Sequence, residues 1–118
     1  MPENPLITVT DETFADVVLG AQLPVLVDFW AKWCGPCRPL AVSLAELAPE
    51  FEGRALIAKL DSDENPETTR QYRVMSMPTL LFFRAGIVTA TLVGLRPKNV
   101  LRTALNNAIE PVEAYANR

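Results

Sequence analysis

The sequence predicts a single α/β domain, with a mixed central sheet of about five strands flanked by about four helices. Three observations carry that expectation. Up to residue 72, β-prone runs alternate with segments of helical periodicity. The run VLVDFW at 25–30 is apolar but for one aspartate, as in a strand covered on both faces. Two further strands, 79–83 and 87–93, follow one another with only Arg84, Ala85 and Gly86 between them.

The elements follow in chain order. LITV at 6–9 is a short strand, and Thr10 and Asp11 are candidate caps for a helix that carries Phe14, Val17 and Val18 and closes at Gly20. The strand at 25–30 is central. Leu40, Leu44, Leu47 and Phe51 recur at helical spacing, placing an apolar stripe on a helix that starts at the cysteines of WCGPC (33–37) and ends near Gly53. Residues 55–61 form the next strand. Asn65 and Pro66 then combine a capping residue with proline at the first helical position, opening a helix through Tyr72. The connection between 79–83 and 87–93 is short enough only for an antiparallel hairpin, so the sheet is mixed. Val100, Leu101, Ala104, Leu105, Ala108 and Ile109 mark a last amphipathic helix.

At 118 residues the chain can bury one substantial core and is too short for two ordinary domains. Residues 1–118 are read as one domain, with a polar tail over 111–118. A net charge of −3 supplies no basic patch, so no nucleic-acid partner is expected. The start MPENPLITV lacks a basic segment followed by an apolar stretch, and no run approaches the length of a membrane span. The expectation is a cytoplasmic monomer without membrane contact. Disulfides that form in such a reducing compartment are usually transient, catalytic or sensing.

Both cysteines, Cys34 and Cys37, lie in WCGPC. At a helix start this spacing makes them neighbours on one face, able to bridge or separate with little backbone movement. A helix N-terminus favours thiolate over thiol at Cys34, while Cys37, one turn inside, holds its proton more readily. One sulfur is thus an attacker and the other a resolver. Gly35 and Pro36, with Trp33 to the outer side, leave little bulk over Cys34, so a disulfide substrate has access. A structural staple closing so small a ring would remove little unfolded-chain entropy. A zinc site needs four ligands, and the chain has no histidine and no further cysteine. The residues therefore favour redox chemistry.

VLVDFWAKWCGPC, MPT at 77–79, a hairpin with Gly86 and a final Gly94 closely resemble the thioredoxin family over nearly the whole chain. The resemblance implies the thioredoxin fold and a protein-disulfide reductase. In that reading Cys34 attacks a protein disulfide and Cys37 resolves the mixed disulfide, leaving the two joined as the redox-active disulfide. No cofactor or metal is bound; electrons come from NADPH through thioredoxin reductase. That reductase and disulfide-containing target proteins are the partners. The Gly-Pro pair resembles the reducing members of the family. The competing readings are a redox-switched protein-binding module and a disulfide oxidase or isomerase, the latter disfavoured by Pro36.

The resemblance also assigns further residues. Asp28, buried mid-strand, should have its pKa raised and exchange a proton with Cys37. Lys59 would moderate its charge. Met77-Pro78 matches the family's cis-proline step, whose preceding backbone pairs with substrate like an added strand. Trp33, Gly35, Pro36, Met77, Pro78 and Gly94 would form the substrate surface, with Trp30 packing behind it. Val42 stands where many relatives carry a helix-kinking proline; Pro39 is cheap in the first turns, and Pro49 should bend the last turn instead. Met75 and Met77 are read as gap-filling side chains beside the site.

Overall fold

The computed structural model describes residues 6–110. The chain runs through β1 (Ile7–Thr8), a π-helix (Ala15–Leu19), β2 (Val25–Trp30), α1 (Cys37–Leu47) with a 3-10 turn (Ala48–Phe51), and β3 (Leu56–Asp61). It continues through α2 (Pro66–Gln71), β4 (Thr79–Arg84), β5 (Ile87–Val93) and α3 (Lys98–Ala108). The sheet order is β1-β3-β2-β4-β5. β1, β3 and β2 are parallel, whereas β4 runs antiparallel to β2 and β5 antiparallel to β4. The mixed sheet and the central position of β2 agree with the sequence. The expected polar tail at 111–118 lies outside the described residues.

The alternation of side chains along β2 divides two cores. Leu26 joins Leu40, Leu44, Leu47 and Phe51 with Leu101 and Leu105 on one face of the sheet. Val25, Val27 and Phe29 join Phe14, Val18, Leu81 and Phe83 on the other. Asp28 shares the pleat of Leu26, so it points toward α1, at the end of the helix where the cysteines lie.

The stripe on α1 is buried as its spacing requires: Leu40, Leu44 and Leu47 have no exposure and Phe51 almost none. The helix runs unbroken through Val42, which faces solvent, and its winding tightens at Ala48–Phe51, where Pro49 sits. Pro39 falls in the first turn, where N–H groups lack intrahelical partners. The disturbance expected at Pro49 is thus a change of winding.

Two capping expectations are corrected. Thr10 holds the turn ahead of the first helix, its Oγ1 accepting from the Thr13 N–H, while the helix itself has no side-chain cap, is π-wound and closes with the Gly20 N–H on the Ala15 carbonyl. Asp11, however, reaches across to α2, where its carboxylate accepts from the Glu67 and Thr68 N–H groups at 3.2 and 2.9 Å. Asn65 makes no side-chain cap. Its Oδ1 instead accepts from the Asp11 N–H and its Nδ2 donates to the Asp61 carbonyl. The parallel sheet brings the two loops side by side, and the longer-range acceptor wins.

The hairpin is tighter than expected, because β4 extends to Arg84. Only Ala85 and Gly86 remain, with φ of 51° and 79°. Positive φ at both positions is what a two-residue type I′ hairpin demands.

Candidate functional site

Overlapping backbone bonds lead from β2 into α1: Cys34 N–H to the Ala31 carbonyl, Arg38 N–H to Gly35, and Leu40 N–H to Pro36. Cys37 is the first residue of α1, and Cys34 lies in the turn ahead of it. The two are disulfide-bonded, with Cα atoms 5.4 Å apart. Their exposures, 4% and 3%, are nearly equal. Cys37, expected one turn inside the helix, is instead its first residue and is buried to the same extent as Cys34. The asymmetry is one of surroundings: Cys37 lines a pocket open to the surface together with Asp28, and Cys34 is not among that pocket's walls. At Gly35 an added Cβ would meet nothing within 4 Å, so glycine here leaves open surface beside the disulfide.

Two distant segments close on this turn. Ala31, Cys34 and Cys37 form a small buried cluster against which Trp30 and Met77 pack. The Met77-Pro78 peptide is cis. The Gly94 N–H donates to the Pro78 carbonyl at 2.8 Å, just beyond the Thr79 to Val93 pairing of β4 with β5. Gly94 has φ of 89°, a backbone that a side chain would strain. Met77 thus packs against the cysteine cluster, and Gly94 is bonded to Pro78, the residue after Met77. Met77 fills a gap as expected. Met75 does not: it is 90% exposed, its side chain leaving the loop for solvent.

Trp33 is 68% exposed, and its Nε1–H donates to Asp63 Oδ2 at 2.9 Å. Nothing local marks Asp63, since it lies thirty residues away on the loop after β3.

Asp28 is 1% exposed, and its Oδ1 has no hydrogen-bond partner. Burial pushes its carboxyl up to about 7, against the opposing charge of Lys59. Lys59 is its direct partner in the β2/β3 register. A cavity of about 220 Å³ joins Asp28 to Cys37, with Lys59, Trp30, Lys32 and Arg38 among its walls. A carboxyl that titrates near neutrality beside a thiol can take or return one proton without leaving its strand. Arg38 and Lys32 were not singled out from sequence, since only the packing of α1 on β2 brings them to this cavity. Among the described residues no cluster of His, Cys, Asp or Glu is placed to hold a metal. None of the helices among them is long and apolar enough to cross a membrane.

A closely spaced cysteine pair at a helix start, joined as a disulfide beside a buried carboxyl, is the arrangement of a thiol–disulfide oxidoreductase. The family model described as Thioredoxin matches residues 5–107. The chain is 46% identical over 97 residues to a thioredoxin of Synechocystis sp., covering 82% of this chain and 91% of that one. It is equally similar, 46% over 101 residues, to a thioredoxin of Haemophilus influenzae, with 86% and 94% covered. The chain belongs to the thioredoxin family. Its fold and its activity class, that of a protein-disulfide reductase, go with that membership.

Proposed function

We propose that the reduced protein donates two electrons to disulfides of target proteins through Cys34 and Cys37. The Cys34 thiolate attacks one sulfur of the target disulfide; that bond breaks, and the other target sulfur leaves as a thiolate. Cys37 then gives its proton to Asp28 and attacks the Cys34 sulfur. The second target sulfur is released and the Cys34–Cys37 disulfide remains. The target has gained two electrons and, from Asp28 and solvent, two protons. Lys59 tunes this exchange by lowering the proton affinity of Asp28. The target chain lies on Trp33, Gly35, Pro36, Met77, Pro78 and Gly94, its backbone pairing with the segment before Pro78 as an added strand would.

The observation that supports this reading is the pocket lined by both Cys37 and Asp28, which is consistent with Asp28 serving the resolving thiol as proton acceptor. Electrons return from NADPH through a thioredoxin reductase. The protein works as a monomer in the cytoplasm, where the thiol pool keeps such a pair reduced.

Two measurements test the proposal. Cys37→Ser should accumulate a covalent mixed disulfide between Cys34 and a protein disulfide such as that of insulin, whereas the wild type releases its target. A variant that turns over like the wild type would refute the division of roles. Equilibration with defined thiol buffers should place the couple at about −250 mV or lower; about −200 mV or higher would make it an oxidase or isomerase.

A further inference from the structure

The pocket beside Cys37 is lined by Asp28, Lys32, Arg38 and Lys59, and its volume of about 220 Å³ is several times the ~30 Å³ share of one water. Three of these walls are cationic. Lys32 already has a partner, its Nζ lying 3.2 Å from Glu64 Oε2. Arg38 and Lys59 do not: among the described residues neither side chain has a hydrogen bond or an ion pair. Lys59 is half-buried, so its ammonium has given up part of its hydration without gaining a bonded acceptor.

The one carboxyl in the pocket does not neutralise them. Asp28 is 1% exposed and its Oδ1 has no hydrogen-bond partner, and burial favours its protonated, neutral form. A protonated carboxyl donates a hydrogen bond, as an ammonium and a guanidinium do. Donors from α1, β2 and β3 thus line one pocket, and two of them carry positive charges to which no acid is bonded. The ligand that satisfies this set is a dianion rich in acceptor oxygens. A guanidinium fork matches two oxygens of such an ion, with the ammonium as the point charge beside it.

We infer that this pocket binds a small inorganic dianion of the sulfate or phosphate class between Arg38 and Lys59, and that the bound ion restrains the resolving attack by Cys37. The restraint follows from charge. A negative ion beside Asp28 disfavours its carboxylate, leaving less of the form that can accept the Cys37 proton, and it disfavours the Cys37 thiolate in the same way. Cys34 is not among the walls of the pocket, so the effect falls on the resolving step. By linkage the ion binds more weakly once Asp28 has ionised. Binding is independent of how Cys37 loses its proton; the restraint rests on the reading of Asp28 as the acceptor.

Sulfate is the probe, because it keeps its charge across the working pH range and brings no proton to exchange, with chloride at matched ionic strength as the control. In the oxidised protein the amide resonances of Asp28, Cys37, Arg38 and Lys59 should shift saturably with sulfate. Arg38→Gln and Lys59→Gln should each raise the half-saturating concentration about fivefold, the loss of one charge-assisted bond. Shifts that do not saturate, or a half-saturation unchanged in both variants, overturn the inference. Starting from the reduced protein, saturating sulfate should lengthen the life of the mixed disulfide with insulin, trapped by acid quench near pH 7, about twofold relative to chloride. Asp28→Asn separates the two layers. If it lengthens that lifetime while sulfate, though bound, does not, the restraint alone fails. If neither lengthens it, Asp28 is not the proton acceptor of Cys37, and the restraint falls with that reading.

Discussion

Asp28 makes the stability of the oxidised protein depend on pH, and Asp28→Asn should remove that dependence. Burial raises this carboxyl from an ordinary 3.8 to about 7. A little over three decades of proton affinity, at about 1.4 kcal/mol each, corresponds to roughly 4 kcal/mol. The sign follows from proton counting: between the two values the folded chain holds a proton that the unfolded chain has released, so stability falls as pH rises. The loss begins near pH 4, is complete slightly above pH 7, and places about 2.5 kcal/mol between pH 5 and 8. Asn has nearly the same shape and no charge, and it leaves the cavity lining otherwise intact. Urea denaturation of oxidised wild type and Asp28→Asn at several pH values would measure the difference. The variant should gain on the wild type by about 2.5 kcal/mol from pH 5 to pH 8. Curves that stay parallel within about 0.5 kcal/mol would refute the assignment of a buried, protonated Asp28. In the reduced protein the same substitution should slow the resolving step, seen as longer-lived mixed disulfide above pH 7.

Other outcomes follow from local geometry. Asp11→Ala removes the acceptor of two N–H groups at the start of α2 and should cost about 1 kcal/mol, near 4 °C in Tm by calorimetry. The partial burial of Asp11 works to raise its pKa, but the bonds from Thr68 and Glu67 and the charge of Arg70 hold it below the ordinary value. Its stabilisation is therefore present near neutrality and lost as pH falls into the acid range, so the Asp11→Ala deficit should shrink there. Ala85→Gly relieves a side chain at φ of 51°. It should be neutral or stabilising by up to about 1 kcal/mol in urea titrations, whereas Ala85→Val should destabilise.

Much of the candidate site was legible because its signals are short in sequence. The cysteine spacing, the stripe from Leu40 to Phe51 and the two-strand connection at Gly86 each concern a few neighbouring residues, and the backbone carries them out locally. Asp28 stood out as the one charge in an apolar run, which is itself a statement about burial. The missed features are contacts between loops. Asp11 resembles a cap for the helix that follows it, yet caps one more than fifty residues later. Met75 resembles core by composition and lies in solvent, because loop direction, not hydrophobicity, decided its place.

By itself the sequence determined the alternation of elements, the apolar faces that had to be covered, and a chemistry confined to two thiols three residues apart. Periodicity and spacing are properties of a chain with fixed helical and extended repeats, so they can be read without coordinates. Tertiary structure alone decided that Cys37 and not Cys34 shares a cavity with Asp28, and that the indole of Trp33 is held by Asp63. It also set the strand order that brings the loops at 10–11 and 61–67 together. Those are matters of which surfaces meet once both faces of the sheet are buried. Desolvation and hydrogen bonding across such meetings depend on distances that no local pattern encodes.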